Sequence, residues 1–298
     1  MSTPTQNIRE QLEHNAGENL FCSWESSNFS FTPGTQSVIA AIRDGSQVIT
    51  NALLKATVQN VLECLYRVNQ YYSFSATDKQ RLEAIYTTLV DEIVAMPYSD
   101  INDIARNHFL RIQQWLRATN GYAKQLFTPL QRNVTGVVPC SEYSAQVQLK
   151  VLGVSISELQ EPILDIGCGE HAHLVTYLRL CGLQAFGMDR FSTKQEHILV
   201  ADWMDYSFER QRWGTIISNL SFANHFVHHH SRNNGNFIGY AKKYMEILES
   251  LVVGGTFYYA PSLPFIEPFL SASKFSVSTI KVEGTTQMAT RLVRIGVQ

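Results

Sequence analysis

The chain has 298 residues, 45% of them hydrophobic and 11% aromatic, enough for a packed core in one large domain or two ordinary ones. Twenty-four basic against 26 acidic residues leave a formal charge of -2 with no long basic run, which sets aside nucleic acid as a substrate. Cys22, Cys64, Cys140, Cys168 and Cys181 are odd in number and lack CxxC spacing, which argues against a disulfide framework and a zinc cluster. With no apolar run of signal-peptide or membrane-spanning length, a cytoplasmic protein that does not engage a membrane is expected.

Residues 1–36 are rich in Ser, Thr, Asn and Gln and punctuated by Pro4, Gly17, Pro33 and Gly34, yet carry Leu20, Phe21, Trp24, Phe29 and Phe31. Aromatics at that density predict a segment that packs, either as an arm over a pocket or as a structured extension. A broad apolar stripe from Val48 to Leu65 predicts a helix over residues 47–69. Thr77, with Gln80 three positions on, opens a second helix carrying Leu82, Ile85, Leu89 and Ile93 on one face, and Pro97 ends it. Ser99 opens a third, with Ile104, Phe109, Ile112 and Trp115 inward, closing near Asn120 and Gly121. Residues 1–140 therefore read as a helical cap or substrate region, and residues 141–298 as a second domain.

That second domain alternates strands and helices. Residues 141–152 read as a helix, Ile163 to Ile166 as a buried strand ending at Gly167-Cys168-Gly169, and residues 171–181 as a helix stopped by Gly182. Ala185 to Met188 forms a second strand ending in Asp189, and His197 to Val200 a third before Asp202 and Trp203. Residues 215–218 make a fourth, followed by Asn219 and Ser221. An amphipathic stretch over residues 239–251 leads through Gly254-Gly255 into a fifth over residues 256–260. Two β-rich segments, residues 275–282 and 290–295, close the chain around a turn at Gly284. The pattern predicts an α/β, Rossmann-like, mostly parallel seven-stranded sheet with an antiparallel C-terminal hairpin.

The strand, glycine bend, helix, strand, acid unit serves both NAD and S-adenosylmethionine (SAM) enzymes. After Gly169 come Glu170 and His171, with Ala172 where a dinucleotide fingerprint has its last glycine, which weakens the NAD reading. Asp165, Gly167 and Gly169 match the D/E-x-G-x-G motif, and residues 141–298 resemble the class I SAM-dependent methyltransferase family in the order of their elements. The resemblance implies SAM as cofactor. Asp165 and the backbone of Gly167, Cys168 and Gly169 would hold its amino acid part, Asp189 its ribose, and Asp202 and Trp203 its adenine, with Arg190 and Asn219 also in the cofactor site. Asp202 as a cap of the next turn is the bland alternative.

In the resembled family Asn219 and Ser221 lie where residues face the transferred group. The N/D-P-P-Y/F sequence of base methylation is absent, so a small-molecule acceptor modified at N or O, in specialised metabolism, is expected. Tyr143, with Gln146 and Gln148, stands at one wall of the implied pocket, beside Trp24 and Phe29 as further aromatic walls. His225 has His228 and His229 at i+3 and i+4, but no Cys or acid completes a shell, so a solvated or lid-facing cluster that includes His230 is expected rather than a metal site, with His225 as the candidate general base. Two rival readings stay open. One is SAM chemistry that releases methylthioadenosine, by cyclisation to azetidine-2-carboxylate or by aminocarboxypropyl transfer; the other is a binding protein without activity. A homodimer is allowed for.

Overall fold

The structure, a computed structural model, describes residues 4–15, 20, 29–95, 100–121, 142–191 and 195–296. The expectations placed on Cys22, Trp24, Pro97, Ser99 and Cys140 lie outside them. The chain divides into two compact units, Met1–Cys140 and Ser141–Gln298. Among the described residues no helix is long and apolar enough to cross a membrane, and Cys64, Cys168 and Cys181 are not in disulfides.

The first unit is helical: α1 Pro4–Asn15, α2 Pro33–Arg43, α3 Asn51–Val68, α4 Ala76–Ala95 and α5 Ile101–Asn120. Helix α2 starts where Pro33 and Gly34 read as punctuation. A proline at the first turn has no amide to lose and a preset φ, and the Thr32 hydroxyl accepts from Thr35 N at 3.2 Å. Helix α4 is opened by Ser75 rather than Thr77: Ser75 Oγ accepts from Asp78 N at 3.2 Å while the Asp78 carboxylate accepts from Ser75 N at 3.0 Å. Asp100 caps α5 through Asn102 N at 2.9 Å. Phe74 stacks on Trp115 at 4.7 Å, and Trp115 Nε1 donates to the Asp78 carbonyl at 2.9 Å, joining the helix ends. Phe29, expected near an acceptor, instead packs on Phe109 at 5.3 Å inside this unit.

The second unit contains α6 Ala145–Leu152, β1 Ile163–Ile166, α7 His173–Leu180, β2 Ala185–Asp189, β3 Ile198–Val200 and β4 Trp213–Asn219. Then come α8 Phe222–His230, α9 Phe237–Ser250, β5 Leu251–Ala260, β6 Phe275–Lys281 and β7 Met288–Arg294. The seven strands lie in the order β3-β2-β1-β4-β5-β7-β6. The first five are parallel, and β7 runs antiparallel to both β5 and β6. This is the expected Rossmann-like sheet with its antiparallel C-terminal hairpin, in which β7 alone runs against the other six strands.

Alternation along β1 divides the core into two layers. Ile163 faces α6 and α7 together with Leu174 and Leu178, whereas Leu164 and Ile166 face α8 and α9 with Phe222, Tyr244 and Leu248. Each such fully buried aliphatic side chain contributes about 1.5–3 kcal/mol of transfer free energy. Gly254 and Gly255 depart from the expected helix-to-strand turn, because β5 already begins at Leu251. Between Leu251, paired with Trp213, and Thr256, paired with Thr215, the strand bulges, and Gly254 sits at φ +86°.

Candidate functional site

Parallel strands deliver their carboxyl ends to one edge, and β1 is central. Its last residues lead into a bend in which Gly167 and Gly169 take φ +78° and +80°. A Cβ on Gly167 would lie 2.6 Å from Ser221 Oγ and 3.3 Å from the Trp203 ring, so the glycine is what lets β4 and the segment after β3 close on the bend. A Cβ on Gly169 would lie 2.9 Å from the Glu142 carboxyl carbon. Ala172, at the place of a fingerprint's last glycine, is itself left-handed at φ 47° and starts α7. Cys168 is buried over Gly187 and turned into the core, 2.7 Å from where a Cβ on that glycine would sit.

Three carboxylates gather around the bend. Asp165 is 1% exposed, and neither of its oxygens has a hydrogen-bond partner. Burial, and then the negative charge of Asp189, raises its carboxyl to about 8, so the acid is mostly protonated at neutral pH. Asp189 accepts from Gly169 N at 3.1 Å and from Phe191 N at 2.8 Å. Burial pushes its carboxyl up, against the lowering pull of the Phe191 amide, Arg190 and the Gly169 amide. Glu142 accepts from Glu170 N at 2.6 Å and His171 N at 3.4 Å, the amides just ahead of α7. Its Oε2 also lies 2.9 Å from His171 Nδ1 and 3.6 Å from His173 Nε2, three ligand atoms near enough to share one divalent ion, all on exposed residues.

On the other side of Asp189 lie the residues expected at an adenine. Asp202 Oδ1 accepts from Met204 N at 2.9 Å, the capping arrangement, and Oδ2 is 3.7 Å from Arg190 Nη1. The Arg190 guanidinium also stands 5.7 Å from the ring centre of Trp203. Trp203 is 7% exposed and its Nε1 has no partner; the Oδ1 of Asn219, at the end of β4, is likewise buried and unpartnered.

The remaining expected residues serve the scaffold in this structure. Ser221 Oγ donates to the Ile166 carbonyl at 2.7 Å and shares a 2.7 Å hydrogen bond with Ser218, stitching β4 to β1. His225 is 3% exposed, edge-on to Trp203 at 5.0 Å, with Nδ1 3.4 Å from the Tyr240 hydroxyl. Burial, then Arg190 and the neighbouring imidazoles, holds it well below the ordinary histidine range, so it is neutral. His229 is buried and stacks on Tyr240 at 4.7 Å, against the expected solvated cluster, whereas His230 is exposed and stacks on Phe265 at 3.8 Å. Tyr143 precedes α6 instead of lying on it; the residue is 38% exposed and its carbonyl accepts from Gln148 Nε2 at 2.9 Å. Glu142, one residue earlier, escaped the sequence reading because an isolated acid ahead of a helix cap carries no periodic or motif signal.

No family model matches the sequence, and no curated protein matches it. Among solved structures, a TehB-like SAM-dependent methyltransferase from Corynebacterium glutamicum is 14% identical, over 52% of this chain and 90% of that one, with a TM-score of 0.37. The plantazolicin methyltransferase BpumL in complex with SAH is 12% identical over 51% of this chain and 84% of its own, TM-score 0.35. The 1,6-didemethyltoxoflavin-N1-methyltransferase of Burkholderia thailandensis, with its substrate and S-adenosylhomocysteine bound, is 12% identical over 51% and 76%, TM-score 0.33.

Proposed function

We propose that the carboxyl edge of the sheet binds SAM and that the chain is a SAM-dependent transferase, with methyl transfer to nitrogen or oxygen of a small molecule as its reaction. What supports the reading is a set of buried polar atoms without partners around one glycine bend: both oxygens of Asp165, Trp203 Nε1 and Asn219 Oδ1. Buried polar groups are almost always hydrogen-bonded, and orphans gathered at a strand edge suit a polar ligand.

SAM supplies a sulfonium whose methyl group an acceptor attacks in line. Asp189 would accept from the two ribose hydroxyls, since a carboxylate taking one backbone N–H on each oxygen retains a further lone pair on each. Asp165, next to that charge, would ionise against the cationic amino acid end. Trp203, with Arg190 beside it, would face the adenine, and Asn219 would orient the acceptor by neutral hydrogen bonds. His225 is too deeply buried and too weakly basic to take a proton readily, so the residues would align the partners and exclude water rather than activate a nucleophile.

Titration of the full chain with S-adenosylhomocysteine tests the site, and absence of heat or chemical-shift change would refute it. Incubation with SAM alone separates the chemistries: methyl transfer predicts no turnover without an acceptor, whereas release of methylthioadenosine would replace it by cyclisation or aminocarboxypropyl transfer.

A further inference from the structure

The helical unit holds a chamber of about 230 Å³ between α1, α2, α3, α4 and α5. Its wall is almost entirely apolar, with Phe29, Ile39, Leu53, Val61, Leu89 and Ile112 among the lining side chains. Two of the lining residues carry a buried polar atom without a hydrogen-bond partner, His108 at Nδ1 and Asn15 at Oδ1. His108 is only 3% exposed and lies edge-on to the Tyr86 ring at 4.8 Å.

We propose that this chamber binds a flat, apolar small molecule of indole size carrying one N–H or O–H group, which His108 reads. The size follows from proportion: a dry apolar cavity of about 150 Å³ takes benzene, so this one takes about nine heavy atoms. The polar requirement follows from His108. Burial, and then the charge of Arg111, lowers its pKa to about 3, so the ring is neutral at physiological pH. With the proton of the neutral ring on Nε2, the unpartnered Nδ1 accepts from a proton-bearing group, and in an apolar wall such a nitrogen is costly to leave unmatched. Charged molecules are excluded, because no side chain of the lining carries a charge that would replace their water. The site lies wholly within the first unit and owes nothing to the SAM reading.

Indole and indene make the test, because they share nine heavy atoms and shape while only indole has an N–H. Titrated into the full chain, indole is expected to saturate at one molecule per chain, with indene about tenfold weaker, the factor for one buried hydrogen bond. His108→Phe should remove that tenfold preference, and Val61→Phe, which fills the chamber, should lower indole affinity more than tenfold. Equal affinity of the unaltered chain for the two probes would overturn the proposal, as would saturation by neither, and both results stand even if a variant fails to fold. Indole binding undiminished in a folded Val61→Phe chain would overturn it too. Binding of S-adenosylhomocysteine is measured separately and has no bearing on the outcome.

Discussion

The amide of Gly169 donates to the carboxylate of Asp189 across 3.1 Å, which makes the bend after β1 and the acid ending β2 one hydrogen-bonded unit. Loss of that carboxylate therefore does two things at once: it removes the proposed ribose acceptor and releases the bend. Asp189→Ala is expected to weaken binding of S-adenosylhomocysteine by about 1–3 kcal/mol, ten- to hundredfold, and Asp189→Asn by less, since the amide keeps one acceptor oxygen. Calorimetric titration with circular dichroism as the fold control reads this, and unchanged affinity in both variants would discredit the ribose assignment.

Asp165 makes the stability of the fold depend on pH. Its folded-state pKa of about 8 stands above the unfolded value of 3.8, so the folded chain holds a proton that the unfolded chain releases. The contribution to stability is thus fully present below about pH 4 and is lost as pH rises through 8. Asp165→Asn, neutral and nearly isosteric with the protonated acid, should flatten that fall, seen as denaturation midpoints that diverge from the parent between pH 5 and 8. A cationic ligand beside Asp165 should also expel its proton. At pH 7 the heat of binding SAM should then depend on buffer ionisation enthalpy, and in Asp165→Asn that dependence should shrink.

For His225 the expected outcome is silence. Its ring resonances should not titrate between pH 5 and 8, and the pH profile of any turnover should lack a step near 6.5 that His225 substitutions abolish. His225→Ala should cost about 2–4 kcal/mol of stability, since it opens a cavity beneath Trp203 and removes the partner of the Tyr240 hydroxyl. A measured imidazole pKa near 6.5 would restore the general base.

Gly167→Ala meets two obstacles that a second substitution tells apart. The left-handed φ costs about 1–2 kcal/mol for any side chain, and the new methyl group would lie 2.5 Å from Ser221 Cβ. Ser221→Gly in the same background should recover the steric part and leave the backbone part. Chemical denaturation of the two single variants and the double variant measures the split, and equal loss with and without the Ser221 change would show that overlap plays no part.

Periodicity and turn chemistry made most of the sheet legible in advance, because a buried strand such as Ile163–Ile166 and a stop such as Gly182 are local signals. Where one residue type serves opposite ends of an element, the reading failed. Pro33 starts a helix rather than breaking a loop, and Gly254 sits inside a bulged strand rather than before it. At the candidate site the acids at strand ends were visible because topology alone brings them together. The engagement of Ser221 with the Ile166 carbonyl and the reach of Glu142 to the bend were not, since each depends on a tertiary contact between residues 55 and 28 positions apart.

The Glu142 carboxylate already occupies the two amides that precede α7. The mouth of the bend is therefore its own counter-ion. If this edge binds SAM as proposed, an incoming anion would have to displace that carboxylate from the amides, whereas an ammonium or sulfonium would meet its negative charge.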